Sequence, residues 1–181
     1  INTATKDIFI PITVGGGIRS LEDARNILNC GADKIAINTA AVMKPEFISE
    51  LANVMGSQSV ILSIEAKKRD ENHWEVYTSN GREPTGLDVF EWIKKSVNLG
   101  AGEILLTSID KEGTRKGFDT KLMRLASQVT DIPIIASGGF GNINHLVDVI
   151  NLGKVDAVAV ADAMHYKRFS VKELKNTITK C

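Results

Sequence analysis

The chain contains few cysteines, no excess of either charge and no long apolar run. Its two cysteines, Cys30 and Cys181, are too few for a disulfide framework, and its three histidines share no metal-ligand spacing. Lys plus Arg and Asp plus Glu both number 22, so net charge gives no reason to expect nucleic acid or an anionic membrane as a partner. No apolar run reaches the length of about 18 residues that spans a bilayer, and no charged leader precedes an apolar segment. We therefore expect a soluble cytoplasmic protein without a metal or cofactor.

Short apolar runs rich in β-branched residues alternate with stretches of helical periodicity. Strands buried on both faces of a parallel sheet have this composition. The predicted strands are residues 9–14, 34–38, 59–66, 103–109, 132–137 and 157–161.

Capping signals between these runs predict where helices begin and end. Ser20 predicts an N-cap, and Ser170 with Glu173 three residues later predicts a capping box. Three glycines lie just before the next strand and predict left-handed residues at helix ends: Gly31, Gly100 and Gly153.

One insertion interrupts the alternation. Residues 73–86 alternate apolar and polar side chains around Asn80-Gly81, a strong signal for a β-hairpin. The preceding residues 67–71 carry both signs of charge and predict a solvent-exposed loop.

Six strand-helix units of about 30 residues each fill residues 1–181, which we predict to be a single domain. Alternating strands and helices require a parallel sheet and an α/β fold, and eight such units make a (β/α)₈ barrel of about 250 residues. We therefore predict an incomplete barrel with about six of its eight units. An open, doubly wound sheet is the alternative, but it gives no reason for the internal repeat that follows.

Two segments four units apart repeat one pattern: "IPITVGGGIRS" at residues 10–20 and "IPIIASGGFGN" at residues 132–142. Each places a glycine pair between a strand and a helix, first Gly16 and Gly17, then Gly138 and Gly139. Glycines there let backbone N–H groups approach a ligand, and the helix N-terminus adds partial positive charge. Each pair therefore predicts a phosphate cradle.

The strand after each glycine pair ends on small residues that we expect to complete the cradle. The first cradle comprises Gly16, Gly17, Asn38 and Thr39. The second cradle comprises Gly138, Gly139, Ala161 and Asp162. Two cradles at one barrel mouth predict a long substrate with a phosphate at each end.

Several segments closely resemble the cyclase subunit of imidazole glycerol phosphate synthase, among them "GADKIAINTAAV", "SIEAK" and "GEILLTSIDKEGTRKGFD". The resemblance runs from residue 10 to the C-terminus. It implies a (β/α)₈ barrel that converts phosphoribulosyl-formimino-aminoimidazole carboxamide ribonucleotide, a bisphosphate, into imidazole glycerol phosphate and aminoimidazole carboxamide ribonucleotide in histidine biosynthesis. It also implies a heterodimer with a HisH-type glutaminase that supplies ammonia through the barrel.

The resemblance places one of two catalytic carboxylates at Glu65, where the family has Asp. The Glu carboxylate lies one methylene further out, on the order of 1 Å, and such a displacement can cost about 10²-fold in rate. The other catalytic carboxylate lies on the first barrel strand, whereas this chain starts at the third strand. We therefore expect the 181 residues alone to be inactive.

The same resemblance assigns residues that contact the substrate, and at some of these positions this chain differs from the family. Positions that fit the family pattern are Asn38, Thr39, Thr107 and Gly113. Glu112 replaces an Asp, Asp162 replaces a phosphate-binding Ser, and Phe140 replaces a small residue. A carboxylate beside a phosphate repels it unless a cation or a changed substrate intervenes.

On the opposite face, Lys34 and Glu103 match charged residues that ring the ammonia tunnel in the family, and Asp33 matches a residue of the glutaminase interface. Ordinary structural ion pairs are the alternative interpretation for these positions.

Three other functions remain open. The first is an ammonia-accepting paralogue that serves amidation of a surface sugar. The second is a non-catalytic phosphate-binding partner subunit. The third is the isomerase of the preceding histidine step, which shares the fold and both cradles, although "INTAAV" and "TSIDKEGT" resemble the cyclase more closely.

Overall fold

Six parallel strands form a curled sheet in the computed structural model, which describes residues 8–178 and so does not cover Cys181. In chain order the strands are β1 (Thr13–Gly15), β2 (Lys34–Ile37), β3 (Val60–Asp70), β4 (His73–Thr78), β5 (Glu83–Asp88), β6 (Glu103–Ser108), β7 (Ile134–Ser137) and β8 (Ala157–Val158). The parallel strands lie in the order β1, β2, β3, β6, β7, β8, and β4 and β5 form an antiparallel extension of β3.

Eight α-helices within the described residues alternate with these strands. They are α1 (Leu21–Asn29), α2 (Thr39–Met43), α3 (Glu46–Met55), α4 (Val89–Asn98), α5 (Thr120–Ser127), α6 (Ile143–Asn151), α7 (Asp162–His165) and α8 (Val171–Ile178), with a 3₁₀ turn at Ser57–Ser59. The parallel strand order follows the chain without reversal, whereas a doubly wound sheet reverses it. The predicted incomplete (β/α)₈ barrel is therefore confirmed.

Alternate strand residues separate the hydrophobic core from the concave face of the sheet. Ile35, Leu62 and Ile104 are fully buried in the core that the sheet shares with the surrounding helices. The intervening positions Ser63 and Leu105 instead line a cavity on the concave face. This alternation packs one face of the sheet against the helices, and the other face lines the inside of the barrel.

The predicted hairpin is confirmed, but the predicted loop at 67–71 is wrong because β3 continues through Asp70. Lys68 pairs with Trp74 in the antiparallel register, and its amino group lies 5.7 Å from the centre of the Trp74 ring. The Arg69 Nε donates to the Glu75 carboxylate. The charged side chains therefore cover the outer part of the extension while its backbone is paired as a strand.

Trp74 anchors this antiparallel extension to the rest of the domain. Its side chain is 0% exposed, and its ring meets that of Phe90 edge to face at 5.9 Å. The indole N–H donates to Asp119 Oδ2 at 3.0 Å, and the other Asp119 oxygen accepts the Leu122 N–H at the start of α5. One carboxylate thus joins the hairpin to a helix N-terminus.

Most predicted helix ends are confirmed. The Ser20 hydroxyl and Asp23 form a capping box at α1, and Ser170 and Glu173 do so before α8. Left-handed residues follow α1 at Gly31 (φ 94°) and α4 at Gly100 (φ 103°), but Gly153 is not left-handed and Lys154 (φ 57°) is. A Cβ at Gly153 would lie 2.4 Å from the Val149 carbonyl oxygen, so close packing explains that glycine.

Two of the strands are much shorter than predicted. Strand β1 covers only the end of the predicted 9–14 run, and β8 covers only the start of the predicted 157–161 run. No helix between residues 8 and 178 has both the length and the hydropathy to span a membrane.

Candidate functional site

The carboxyl ends of the parallel strands bring most predicted site residues to one edge of the sheet. Gly16 and Gly17 follow β1, Asn38 follows β2, and Glu65 of β3 is in register with Thr107 of β6. The second glycine pair follows β7 at the same edge. In barrel enzymes this edge carries the active site.

The first cradle and Glu65 line one large cavity of about 960 Å³. Gly16 (φ 103°) and Gly17 (φ 73°) have left-handed backbones, and a Cβ at either would meet no atom within 4 Å. Packing therefore does not demand glycine here, the left-handed backbone favours it, and the open surroundings leave room for a ligand beside the backbone.

Gly17→Ala is expected to weaken phosphate binding at the first cradle about tenfold. The added methyl group enters the cavity, and an L-residue at positive φ costs about 1–2 kcal/mol, which distorts the loop. Isothermal titration with a sugar monophosphate measures the change. Gly86→Ala is the matched control, because Gly86 has φ 75° and equally open surroundings but does not line the cavity. Equal affinities for wild type and Gly17→Ala would contradict the cradle.

Two hydrogen bonds hold the Glu65 carboxylate at the centre of this edge. Its Oε2 accepts from Asn38 Nδ2 at 3.0 Å and from the Gly81 backbone N–H at 2.9 Å. Burial raises the pKa of the Glu65 carboxyl, and the two hydrogen bonds offset only part of that rise. A carboxyl group with a raised pKa in a cavity is suited to general acid or base catalysis.

The Asn38 side chain links the first cradle to Glu65. Its amide nitrogen also donates to the Tyr77 carbonyl at 3.1 Å, so both partners of this nitrogen are protein atoms. The Asn38 Oδ1 is buried and has no hydrogen-bond partner among residues 8–178. The role of this side chain as a phosphate donor stays a prediction.

The tip of the hairpin belongs to the site, and no sequence pattern indicated this. Gly81 donates to Glu65, and the Ser79 N–H donates to Thr39 Oγ1 at 3.3 Å. The Asn80-Gly81 pair predicted a turn, but turn chemistry does not say which surface the tip contacts.

The second cradle lies at a separate cavity of about 150 Å³ that shares no lining residue with the first. Gly138 and Gly139 are left-handed, but here a Cβ would lie 2.8 Å from the Ser108 carbonyl oxygen and 2.2 Å from the Gly117 carbonyl oxygen, respectively. Packing alone therefore demands glycine at this pair. The predicted site residues that line this cavity are Glu112, Gly113, Gly138, Gly139, Ala161 and Asp162.

Two arginines that no sequence motif singled out bind Asp162. Arg115 donates from Nε to Oδ2 at 2.8 Å and from Nη2 to Oδ1 at 3.0 Å, and Arg168 Nη2 also contacts Oδ2. The Arg115 hydrogen bonds hold the pKa of the Asp162 carboxyl below its usual range. One signal in the sequence pointed to these arginines. A carboxylate at position 162, beside a predicted phosphate site, requires either a nearby cation or a changed substrate.

The predicted partner-face residues lie near the amino ends of the strands. Lys34 begins β2 and forms an ion pair with Glu103, which begins β6. Asp33 Oδ2 accepts the Ile12 N–H at 2.8 Å and so holds the chain that enters β1. No group of three or more His, Cys, Asp or Glu side chains between residues 8 and 178 is arranged to hold a metal ion.

A match to a known protein family covers most of the chain. The family is described as "Histidine biosynthesis protein", and its model matches residues 1–170. The match contains every residue of both cradles, together with Glu65 and the ion pair at the opposite end of the strands.

Proposed function

The chain belongs to the histidine biosynthesis protein family, whose members are (β/α)₈-barrel isomerases and cyclases, and we propose that it is a subunit of the cyclase type. In this proposal it uses ammonia from a HisH-type glutaminase to convert phosphoribulosyl-formimino-aminoimidazole carboxamide ribonucleotide into imidazole glycerol phosphate and aminoimidazole carboxamide ribonucleotide. The observation that carries the proposal is that Glu65, with its raised pKa, lines the same cavity as the open first cradle.

The cavity supports acid/base chemistry on a substrate anchored by phosphate. The first cradle offers exposed glycine backbone at the end of β1, and Glu65 lies two strands away on β3. Hydrogen bonds to Oε2 fix the orientation of the carboxyl group and leave Oε1 to exchange a proton. Breaking the substrate linkage and closing a ring both require such proton transfers.

The ion pair between Lys34 and Glu103 supports an ammonia entrance at the opposite end of the strands. Both residues lie at strand starts, whereas Glu65 and Thr107 lie near strand ends. We propose that the glutaminase docks at this amino-terminal end and that ammonia travels along the concave side to the cavity.

A second candidate function is favoured by the contacts of Asp162. In an ammonia-accepting paralogue that amidates a surface sugar, the substrate has no need of a phosphate at both ends. The carboxylate held by Arg115 and Arg168 in the second cradle fits such a substrate better than it fits a bisphosphate.

Nitrogen transfer from labelled ammonium tests the proposal. The full enzyme, with its glutaminase, is supplied with ¹⁵N-ammonium and the histidine precursor, and products are analysed by mass spectrometry. The expected result is ¹⁵N in the imidazole ring. Label in an amidated sugar, with no ring formed, would replace the first candidate by the second. Precursor binding without any ¹⁵N product would contradict both.

A further inference from the structure

The charged groups around the second cradle balance one another. Glu112, Arg115 and Asp162 line its cavity, and Arg168, which does not line the cavity, forms an ion pair with Asp162. The two carboxylates offset the two guanidinium groups. Arg115 directs Nε and Nη2 at Asp162, so the edge of the guanidinium that could grip an oxyanion with two parallel bonds is already engaged by a carboxylate. A phosphate placed here would lie beside two carboxylates.

The walls of this cavity also limit what can enter. Phe140 is buried between Phe118 and Phe169, with ring centres 6.3 Å and 5.6 Å away. Gly139 is tied to the loop after β6 by a 2.8 Å bond from the Gly117 N–H to its carbonyl oxygen. The cavity measures only about 150 Å³. The two glycine pairs therefore share a sequence pattern but differ in charge and space.

We propose that Asp162 is a specificity-determining residue that makes the second cradle select an uncharged, hydroxylated end of the substrate over a phosphate. This rests on the proposed function and deepens its second candidate, in which the first cradle alone holds a phosphate. Carboxylate oxygens of Asp162 and Glu112 accept hydrogen bonds from hydroxyl groups, whereas phosphate oxygens at neutral pH mainly offer acceptors and negative charge. The Arg115 and Arg168 contacts keep Asp162 ionised and in place.

The chemical shifts of backbone amides, measured by NMR in the full chain, test the ligand preference of each cradle separately. Inorganic phosphate and glycerol are the two probes. In the wild type we expect phosphate to shift the amides of Gly16 and Gly17, and glycerol to shift those of Gly138 and Gly139 more than phosphate does at equal concentration. In Asp162→Ser we expect the preference at Gly138 and Gly139 to reverse, with phosphate affinity there at least about tenfold above wild type.

Two control variants distinguish an effect of the charge at position 162 from a general disturbance of the fold. Asp162→Glu keeps the charge and is expected to keep the wild-type preference. Asp148→Asn removes an exposed carboxylate on α6 and is expected to change neither cradle. Unchanged phosphate shifts at Gly16 and Gly17 show that Asp162→Ser is folded.

The outcomes distinguish this inference from the proposed function. The inference is overturned if phosphate shifts the Gly138 and Gly139 amides of the wild type more than glycerol does, or if Asp162→Ser does not reverse the preference. Either result leaves the phosphate anchor at the first cradle standing. Absence of any phosphate shift at Gly16 and Gly17, together with the reversal at the second pair, would sustain the inference and remove the anchor that the proposed function requires.

Discussion

Glu65→Gln is expected to lower the kcat of the full enzyme by about 10²- to 10⁴-fold, the usual worth of a positioned general acid or base. Gln has nearly the same shape, and its side-chain oxygen can still accept the Gly81 N–H and an Asn38 N–H. The variant therefore removes the titrating proton and little else. Steady-state kinetics with saturating ammonium measure the loss without involving the glutaminase.

Two companion variants make the Glu65 result specific. Glu83→Gln neutralises an exposed carboxylate on the same hairpin and should leave kcat unchanged. Glu65→Asp keeps the acid and restores the residue that the family has at this position, so we expect kcat to stay at or above the wild-type value, in contrast to Glu65→Gln. Equal activity of the wild type, Glu65→Asp and Glu65→Gln would show that this position does not carry the chemistry.

The raised pKa of Glu65 also has a consequence for stability. Because the folded state holds this proton more tightly than the unfolded state, the Glu65 contribution to the free energy of unfolding is present below the ordinary Glu pKa of 4.5 and is lost as pH rises through the higher folded value. Subtracting the pH profile of Glu65→Gln from that of the wild type, by chemical denaturation, isolates this contribution. A difference of the opposite sign would mean that hydrogen bonds, and not burial, dominate at this carboxyl.

Trp74→Ala is expected to destabilise the folded protein by about 3–5 kcal/mol, the range for large aromatic residues removed from a core. The indole is fully buried against Phe90, and its loss also leaves an Asp119 oxygen without its donor. Denaturant unfolding followed by circular dichroism gives the free energy.

Graded variants divide the Trp74 effect into packing and hydrogen bonding. Trp74→Phe keeps an aromatic ring but removes the N–H, and we expect a loss smaller than that of Trp74→Ala. Phe9→Ala changes a side chain that is 96% exposed and should stay within about 0.5 kcal/mol of wild type. A Trp74→Ala loss near that of Phe9→Ala would show that the hairpin unfolds independently of the barrel.

Sequence patterns predicted the strands, helix caps and hairpin turn of this fold because each pattern depends on neighbouring residues. The buried strands around Ile35 and Leu62, the capping box at Ser20 and the turn at Asn80-Gly81 each depend on residues within a few positions of one another. One error occurred where pairing with the next strand decides. Charged residues 67–70 became strand because β4 lies beside them, and no periodicity in that segment announces such pairing.

The location of the site could be predicted only where it follows from the ends of the parallel strands. Parallel strands bring Gly17, Glu65 and Thr107 to one edge, so their shared location followed from the fold class. The unequal cradles did not follow, because a repeated glycine pair looks the same whether it faces solvent at Gly16 or the Gly117 carbonyl at Gly139. The bridge from Arg115 to Asp162 spans 47 positions in the sequence, beyond the reach of any local pattern.

The contact between Gly81 and Glu65 makes the proton affinity of Glu65 depend on the position of the hairpin tip. Its N–H stabilises the ionised carboxylate, so lifting the tip away by a small distance makes Glu65 a weaker acid. The neighbouring Ser79 N–H donates to Thr39 Oγ1 of the first cradle, so the same turn contacts both the cradle and Glu65. A change in the position of this turn would therefore alter the surroundings of the cradle and the proton affinity of Glu65 together.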